Sequence, residues 1–396
     1  MLSKKVQIVL GLGIGVALVW WLFRGTDWPA VGHAIAQANW WWIGAAVVGV
    51  LVTFVTRIWR WSYIVRTAKP VSFRHMFSAT QIGFLGNFIL PARAGEAIRA
   101  LALSRLANLP FSRSLAFVAL DRVTDLFGLM AVVLVAAFAF HPAHDIRLPP
   151  SIYAGVIPAD MVSTYALRVA LFIVLIVGAF VVLYVRQRLV LRISDAVFGA
   201  VSHALAARVH EMLQHFADGL HVFRSAIDMA KSLFFSLLTW GVFVLTYLAC
   251  ATAFGLHLPW YAPFIVLSFL ALAISVPGTP GFVGQFHFGV AVPVLLLMPA
   301  VPATYAFGEA AAQVVSGFAT PHAGPLAACL AEIPRRAAEH SLETAKGLGL
   351  AMAIVAHLTN VFPVFAVGFY CLYREQLGLF QLRREVEATE TPDKAP

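Results

Sequence analysis

Long apolar runs separated by short basic segments divide this chain. The runs at 6–23, 40–56, 115–140, 166–185, 232–254 and 347–373 are close to or beyond the roughly 18 residues that cross a bilayer as helix. Two further apolar stretches are broken. Residues 76–90 end in Asn87-Phe88-Ile89-Leu90-Pro91 and give way to charge, and residues 263–299 are interrupted by Pro277-Gly278-Thr279-Pro280-Gly281. The pattern predicts an all-α, polytopic integral membrane protein with six full spans and two broken, re-entrant helical hairpins at 76–112 and 263–299.

Composition agrees. Hydrophobic residues make up 60% of the 396 and charged residues only 12%, half the share of an ordinary soluble domain. No segment is long and polar enough to form a soluble domain by itself. The basic excess, 28 Lys+Arg against 19 Asp+Glu, could suggest nucleic acid. Its placement beside apolar runs points instead to membrane orientation and anionic headgroups, so no nucleic-acid partner is expected. Cys250, Cys329 and Cys371 are far apart and fit neither a disulfide framework nor a metal site. Lys4-Lys5 before the first run resembles a signal peptide, but Trp20-Trp21 and the lack of a small-x-small site favour a retained helix.

Charge sets the expected topology. Lys4 and Lys5, the group Arg57, Arg60, Arg66, Lys69 and Arg74, then Arg186, Arg188 and Arg192, and finally Arg374, Arg383 and Arg384 all fall on the cytoplasmic side if both hairpins return to the side they enter. Both termini are then cytoplasmic. The first repeat (1–150) and the second (151–373) read span, span, hairpin, span in opposite orientation, an inverted repeat. Interrupted segments in matching positions of such repeats point to a substrate site. Residues 187–231 read as a cytoplasmic interfacial segment and 302–346 as an extracytoplasmic insertion broken by Pro321, Pro325 and Pro334. Residues 374–396 form a polar cytoplasmic tail, disordered from Glu385 onward.

The chemistry concentrates at the breaks. Pro91 and Gly95 free backbone groups that need a polar or protein-lined setting, and Arg93, Glu96 and Arg99 share a helical face. Asn87 sits at the turn. Asp121, Arg122 and Asp125 lie inside the following span, the two Asp one turn apart, and charges at that depth face partners or a wet cavity. Arg93 or Arg99 are the expected partners of the carboxylates. Such a network serves either transport or simple bundle cohesion. In the second hairpin Pro277, Gly278, Pro280, Gly281 and Gly284 make an unwound turn followed by Gln285 and His287, with His357 and Asn360 on the last span.

Other signals fail. Gly11-Leu12-Gly13-Ile14-Gly15 opens a membrane helix with no strand before it and so is no phosphate loop, though Gly11 and Gly15 suit close helix packing. His210 and His215 are five apart, about 140° around a helix, and cannot face one ion. No metal or cofactor site is expected.

The string Asn87 to Arg99, with Asp121-Arg122 and Asp125 and the turn Pro277–Gly284, resembles the flippase-like membrane region of lysylphosphatidylglycerol synthases, over most of the chain from Val6 to Tyr373. That resemblance implies lipid movement between leaflets of the cytoplasmic membrane. The synthases' soluble aminoacyl-transferring domain has no counterpart after Tyr373, so synthetic activity is not carried over. His287 stands where the resemblance leads one to expect an acidic residue, and the 302–346 insertion exceeds the usual connection. The expected cargo is an anionic phospholipid or a polyprenyl-phosphate lipid, with Arg93 and Arg99 on the phosphate, and a homo-oligomer is compatible. The alternatives are a membrane-embedded lipid-modifying enzyme with Glu96, Asp121 or His287 as base, and a lipid-binding scaffold subunit.

Overall fold

The computed structural model describes residues 13, 16–90, 94–142, 145–147, 156–199, 226–275, 279–298 and 324–390, with isolated positions at 202, 207, 209, 210 and 214. A helix at residues 16–23 (α1) leads to the short α2 (Trp28–Gln37) and the long α3 (Trp40–Val65). Then come α4 (Phe73–Ile89), α5 (Gly95–Ala107) and α6 (Phe111–Ala139). A two-residue antiparallel pair, β1 (Ile146–Arg147) with β2 (Val156–Ile157), precedes α7 (Ala159–Val185) and α8 (Gln187–Gly199). The remainder is α9 (Ala226–Ala253), α10 (Ala262–Ser275), a 3-10 turn at Pro280–Phe282, α11 (Gln285–Leu297), α12 (Gly324–Arg374) and α13 (Leu379–Glu390).

Among the described residues six helices are long and apolar enough to cross a membrane. Their outer faces stay apolar: Leu167, Leu171, Phe172 and Leu175 of α7 are all exposed, as a hydrocarbon solvent permits and water does not. Exposed Trp40, Trp41 and Trp42 at one end of α3, and Tyr370 and Tyr373 at the end of α12, supply the aromatic residues favoured at the headgroup level. The chain is a multi-pass membrane protein.

Packing between helices relies on small residues, because lipid offers no hydrophobic drive for association. α3 lies along α9 with Gly49 so close that a Cβ there would sit 2.3 Å from Thr246 Oγ1. Further along the same seam the Thr56 and Thr239 hydroxyls meet at 2.8 Å.

Both broken stretches form hairpins. α4 stops at Ile89, two residues before Pro91, since the residue ahead of a proline is pushed out of the helical region. α5 then returns against α4 with Gly95 facing Gly83: a Cβ on Gly95 would stand 2.0 Å from the Gly83 carbonyl oxygen. α10 and α11 make the second hairpin, turned by Gly281 and Gly284 at φ 69° and 86°, in the left-handed region. α12 is the spine between them. Its Gly368 admits Leu85 of α4, and its Gly349 approaches Ala291, Val294 and Leu295 of α11.

Several boundaries differ from expectation. α3 continues nine residues past Thr56 to Val65, because Ile58, Trp61, Ile64 and Val65 keep burying one face. The six helices long enough to span include Pro280–Leu297, expected as half of a hairpin, whereas the expected span at 6–23 lies partly outside the described residues. Residues 324–346 of the expected insertion are helix continuous with the last span, and the helix runs through Pro334. Residues 302–323 lie outside the described part. The tail is not disordered from Glu385: α13 carries it to Glu390, with Leu379, Leu382 and Val386 buried and Glu385 paired to Arg105 of α5. For the interfacial segment, α8 is helical, with Leu189, Ile193 and Val197 exposed one turn apart, and most of 200–225 lies outside the described residues.

Candidate functional site

Charge gathers where α3, α5 and α6 meet. Arg60 of α3 donates from Nε to Asp121 Oδ1 of α6 at 2.9 Å and pairs through Nη1 with Asp125 Oδ1. Arg99 of α5 donates to the second Asp121 oxygen at 2.7 Å, and its guanidinium lies 3.8 Å from the centre of the Trp61 ring. Arg60, Arg99 and Asp121 are each at most 2% exposed. This is a sealed layer. One carboxylate held between two guanidiniums satisfies both its oxygens, the condition under which buried charge is tolerated.

A second layer sits on top and faces open space. Arg122 reaches Glu96 of α5 at 2.7 Å and Asp125 at 3.5 Å. Asn87 at the hairpin turn donates to the same Glu96 oxygen at 3.3 Å. Trp240 of α9 donates its indole N–H to Asp125 at 3.2 Å. Arg57, one turn before Arg60, lies beside the rings of Phe84 and Phe243, 5.2 and 5.1 Å from their centres.

These residues line a cavity of about 550 Å³. Asn87, Glu96, Arg57, Arg122, Asp125 and Asn360 supply its polar surface, and Phe54, Phe84, Phe243 and Phe286 are among its apolar walls. Its size and mixed lining match an organic ligand with a polar end. The volume equally fits a headgroup whose chains lie in the bilayer.

The two hairpins meet at the edge of this cavity. Phe88 of the first and Phe282 of the second are edge to face at 5.7 Å. His357 of α12 donates from Nε2 to the Gly281 carbonyl at 2.8 Å and stacks on Phe286 at 4.6 Å. The unwound turn thus has its freed carbonyl satisfied by a side chain from a neighbouring helix, as backbone in a membrane must.

The structure therefore brings Asn87, Glu96, Arg122 and Asp125 to the cavity and puts Arg99 and Asp121 in the layer beneath it. The expected pairing of Asp121 with Arg99 is present, while Asp125 pairs with Arg60 and Arg122. Gln285 and His287 do not line the cavity. Gln285 donates to the Ala273 carbonyl at 3.1 Å, and His287 Nδ1 accepts the Gly284 N–H at 3.4 Å while its ring packs edge-on against His357. Gly95, Pro280, Gly281 and Gly284 take part in the two turns. Pro91, Arg93, Pro277 and Gly278 lie outside the described residues. Arg57 and Arg60 were assigned from the sequence to a cytoplasmic basic group. The signal that relocates them is the continuing helical face Arg57, Arg60, Trp61, Ile64 beyond Thr56.

The family described as Lysylphosphatidylglycerol synthase TM region matches residues 8–317. A curated relative, Glycosyltransferase AglD of Haloferax volcanii, is 28% identical over 327 residues, covering 76% of this chain and 51% of the relative. The chain thus spans about half the length of that protein.

Proposed function

Because this chain belongs to the lysylphosphatidylglycerol synthase transmembrane-region family, we propose that it moves a phosphate-bearing lipid between the leaflets of the cytoplasmic membrane. The observation that carries the reading is the cavity at the hairpin tips, lined by charged and amide groups together with aromatic rings. A headgroup crossing hydrocarbon must be matched by polar groups at every depth, while its chains need only remain in lipid. The cavity offers both surfaces in one place.

On this reading both termini are cytoplasmic, which the basic segments beside the spans support, and the two hairpin-bearing halves act as oppositely oriented repeats whose tips frame the path. The sealed layer of Arg60, Asp121 and Arg99 is the fixed floor. Above it, Arg122 has two carboxylate partners at unequal distances and can trade one for a phosphate oxygen. This replaces Arg99 as the group that meets the cargo, since Arg99 is held on Asp121 and Trp61. Transport, with no chemical change to the lipid, is the activity these groups suit.

The test uses purified protein in liposomes with fluorescent headgroup-labelled phosphatidylglycerol, dithionite quenching the outer leaflet alone. Wild type should expose the inner pool well above protein-free liposomes. Arg122→Gln, matched for thermal midpoint, should slow this by about tenfold or more. Equal rates in protein-free and wild-type liposomes would sink the reading.

A further inference from the structure

Among the described residues α7 is the least enclosed of the six spanning helices, and it packs chiefly on α6. The side it turns to the bundle is small and apolar, with Ala170 and Ile173 buried. The outer side carries a charge. Arg168 is exposed on the same helical face as Thr164, Leu171 and Leu175, with Tyr165 and Phe172 beside them. Centred on a hydrocarbon layer of roughly 30 Å, this 27-residue helix sets the Arg168 Cα about 8 Å inside the boundary. A charge at that depth facing lipid is costly and calls for a partner. Arg168 makes no ion pair among the described residues, and Asp160, about two turns away, accepts from the Met161 N–H. The Arg168 guanidinium lies 5.4 Å from the centre of the Tyr165 ring, one turn nearer the N-terminal end of the helix. Its side chain therefore runs toward that end, the direction in which a long cation reaches the headgroups from inside a bilayer.

We propose that Arg168, Tyr165 and Thr164 form a lipid-phosphate site on the outer face of α7, separate from the cavity. Its occupant is a glycerophospholipid of the leaflet at the N-terminal end of α7. The guanidinium fork takes the two unesterified phosphate oxygens. The Tyr165 and Thr164 hydroxyls stand one turn nearer the headgroups as further donors, and the acyl chains run along Leu171, Phe172 and Leu175. The phosphate is lipid-borne, because the surface below the arginine is apolar and offers nothing to a hydrated ion. A second copy of the chain is the poorer occupant. Two copies in one membrane are related by an axis along its normal, so this face would set Arg168 against its counterpart at the same depth, like charge against like.

The experiment is native mass spectrometry of the delipidated full chain in detergent, titrated with dioleoyl phosphatidylcholine or with dioleoylglycerol, which has the same chains and no phosphate. At the site that Arg168→Leu removes, wild type should bind phosphatidylcholine about tenfold tighter than that variant does. Arg168→Lys should keep part of the difference, and dioleoylglycerol should bind wild type and Arg168→Leu alike. Leucine is favoured at a lipid-exposed position, so Arg168→Leu should keep the wild-type thermal midpoint or exceed it. Equal uptake of phosphatidylcholine by wild type and a folded Arg168→Leu overturns the proposal. A preference of wild type for dioleoylglycerol that Arg168→Leu abolishes removes the phosphate from it. A wild-type dimer that Arg168→Leu dissolves puts a second copy in the lipid's place.

Discussion

Arg60 on α3 and Asp121 on α6 form a pair 2.9 Å apart with each side chain 1% exposed, and through it the first hairpin, α3 and α6 share one carboxylate. Its burial makes it a structural joint more than a ligand site. Removing one member strands the other charges in a medium that cannot solvate them. Asp121→Asn should therefore cost about 3–5 kcal/mol of stability, read as a lowered unfolding midpoint in detergent. Arg60→Met with Asp121→Leu should recover part of that loss. If Asp121→Asn leaves the midpoint alone, the layer is not a joint.

Gly95 is required by distance and not by backbone conformation. A methyl group there would fall 2.0 Å from the Gly83 carbonyl and 2.5 Å from the Asn87 nitrogen, both main-chain atoms that cannot step aside. Gly95→Ala should open the first hairpin, with reduced folded yield and loss of lipid movement together. Gly32→Ala, where no atom lies within 4 Å of the added carbon, should leave folded yield unchanged.

His357 holds the second turn by its bond to the Gly281 carbonyl. His357→Leu strands that acceptor and should cost about 1–3 kcal/mol, whereas His357→Gln, able to donate from a similar position, should cost less. Thermal midpoints of the two variants decide. Identical losses would place the effect in ring stacking on Phe286 instead.

Phe88 and Phe282 should be energetically coupled. Their edge-to-face contact predicts an interaction energy of about 0.5–1.5 kcal/mol in a double-mutant cycle of the two alanine variants. Strict additivity would mean that the hairpin tips merely adjoin.

Glu375, just past the end of α12, ties that end to α4. Burial alone would raise its pKa, but hydrogen bonds from Ser78 and Arg374 hold the carboxyl below the usual carboxylate range. A depressed folded-state pKa contributes stability above the unfolded value and loses it as pH falls through the folded one. Thermal midpoints of wild type should therefore drop more steeply than those of Glu375→Gln between about pH 5 and pH 3. Parallel curves would remove Glu375 as an acid-sensitive tie.

The membrane class, both hairpins and the Arg99–Asp121 contact were legible in the sequence because each leaves a local mark: long apolar runs, Pro and Gly at the turns, charges inside a span. Arg57 and Arg60 were not. They follow an apolar run, and basic residues at a span's end are ordinarily orientation signals, so only the periodicity of Trp61 and Ile64 marks them as part of the helix face. The cavity itself has no local mark, since Phe54, Phe243 and Phe286 converge on it from three separate helices. For α13, sequence polarity outweighed a sparse stripe, Leu379, Leu382 and Val386, that becomes apolar cover only once α5 is there to meet it.

The ring contact between Phe88 and Phe282 also has a mechanical meaning. Each tip is the loose end of its own hairpin, and each finds part of its bearing surface on the other. Neither can swing aside without unseating its opposite number. The pair acts as a shared latch at the cavity's edge, so a displacement of one tip is felt at the other.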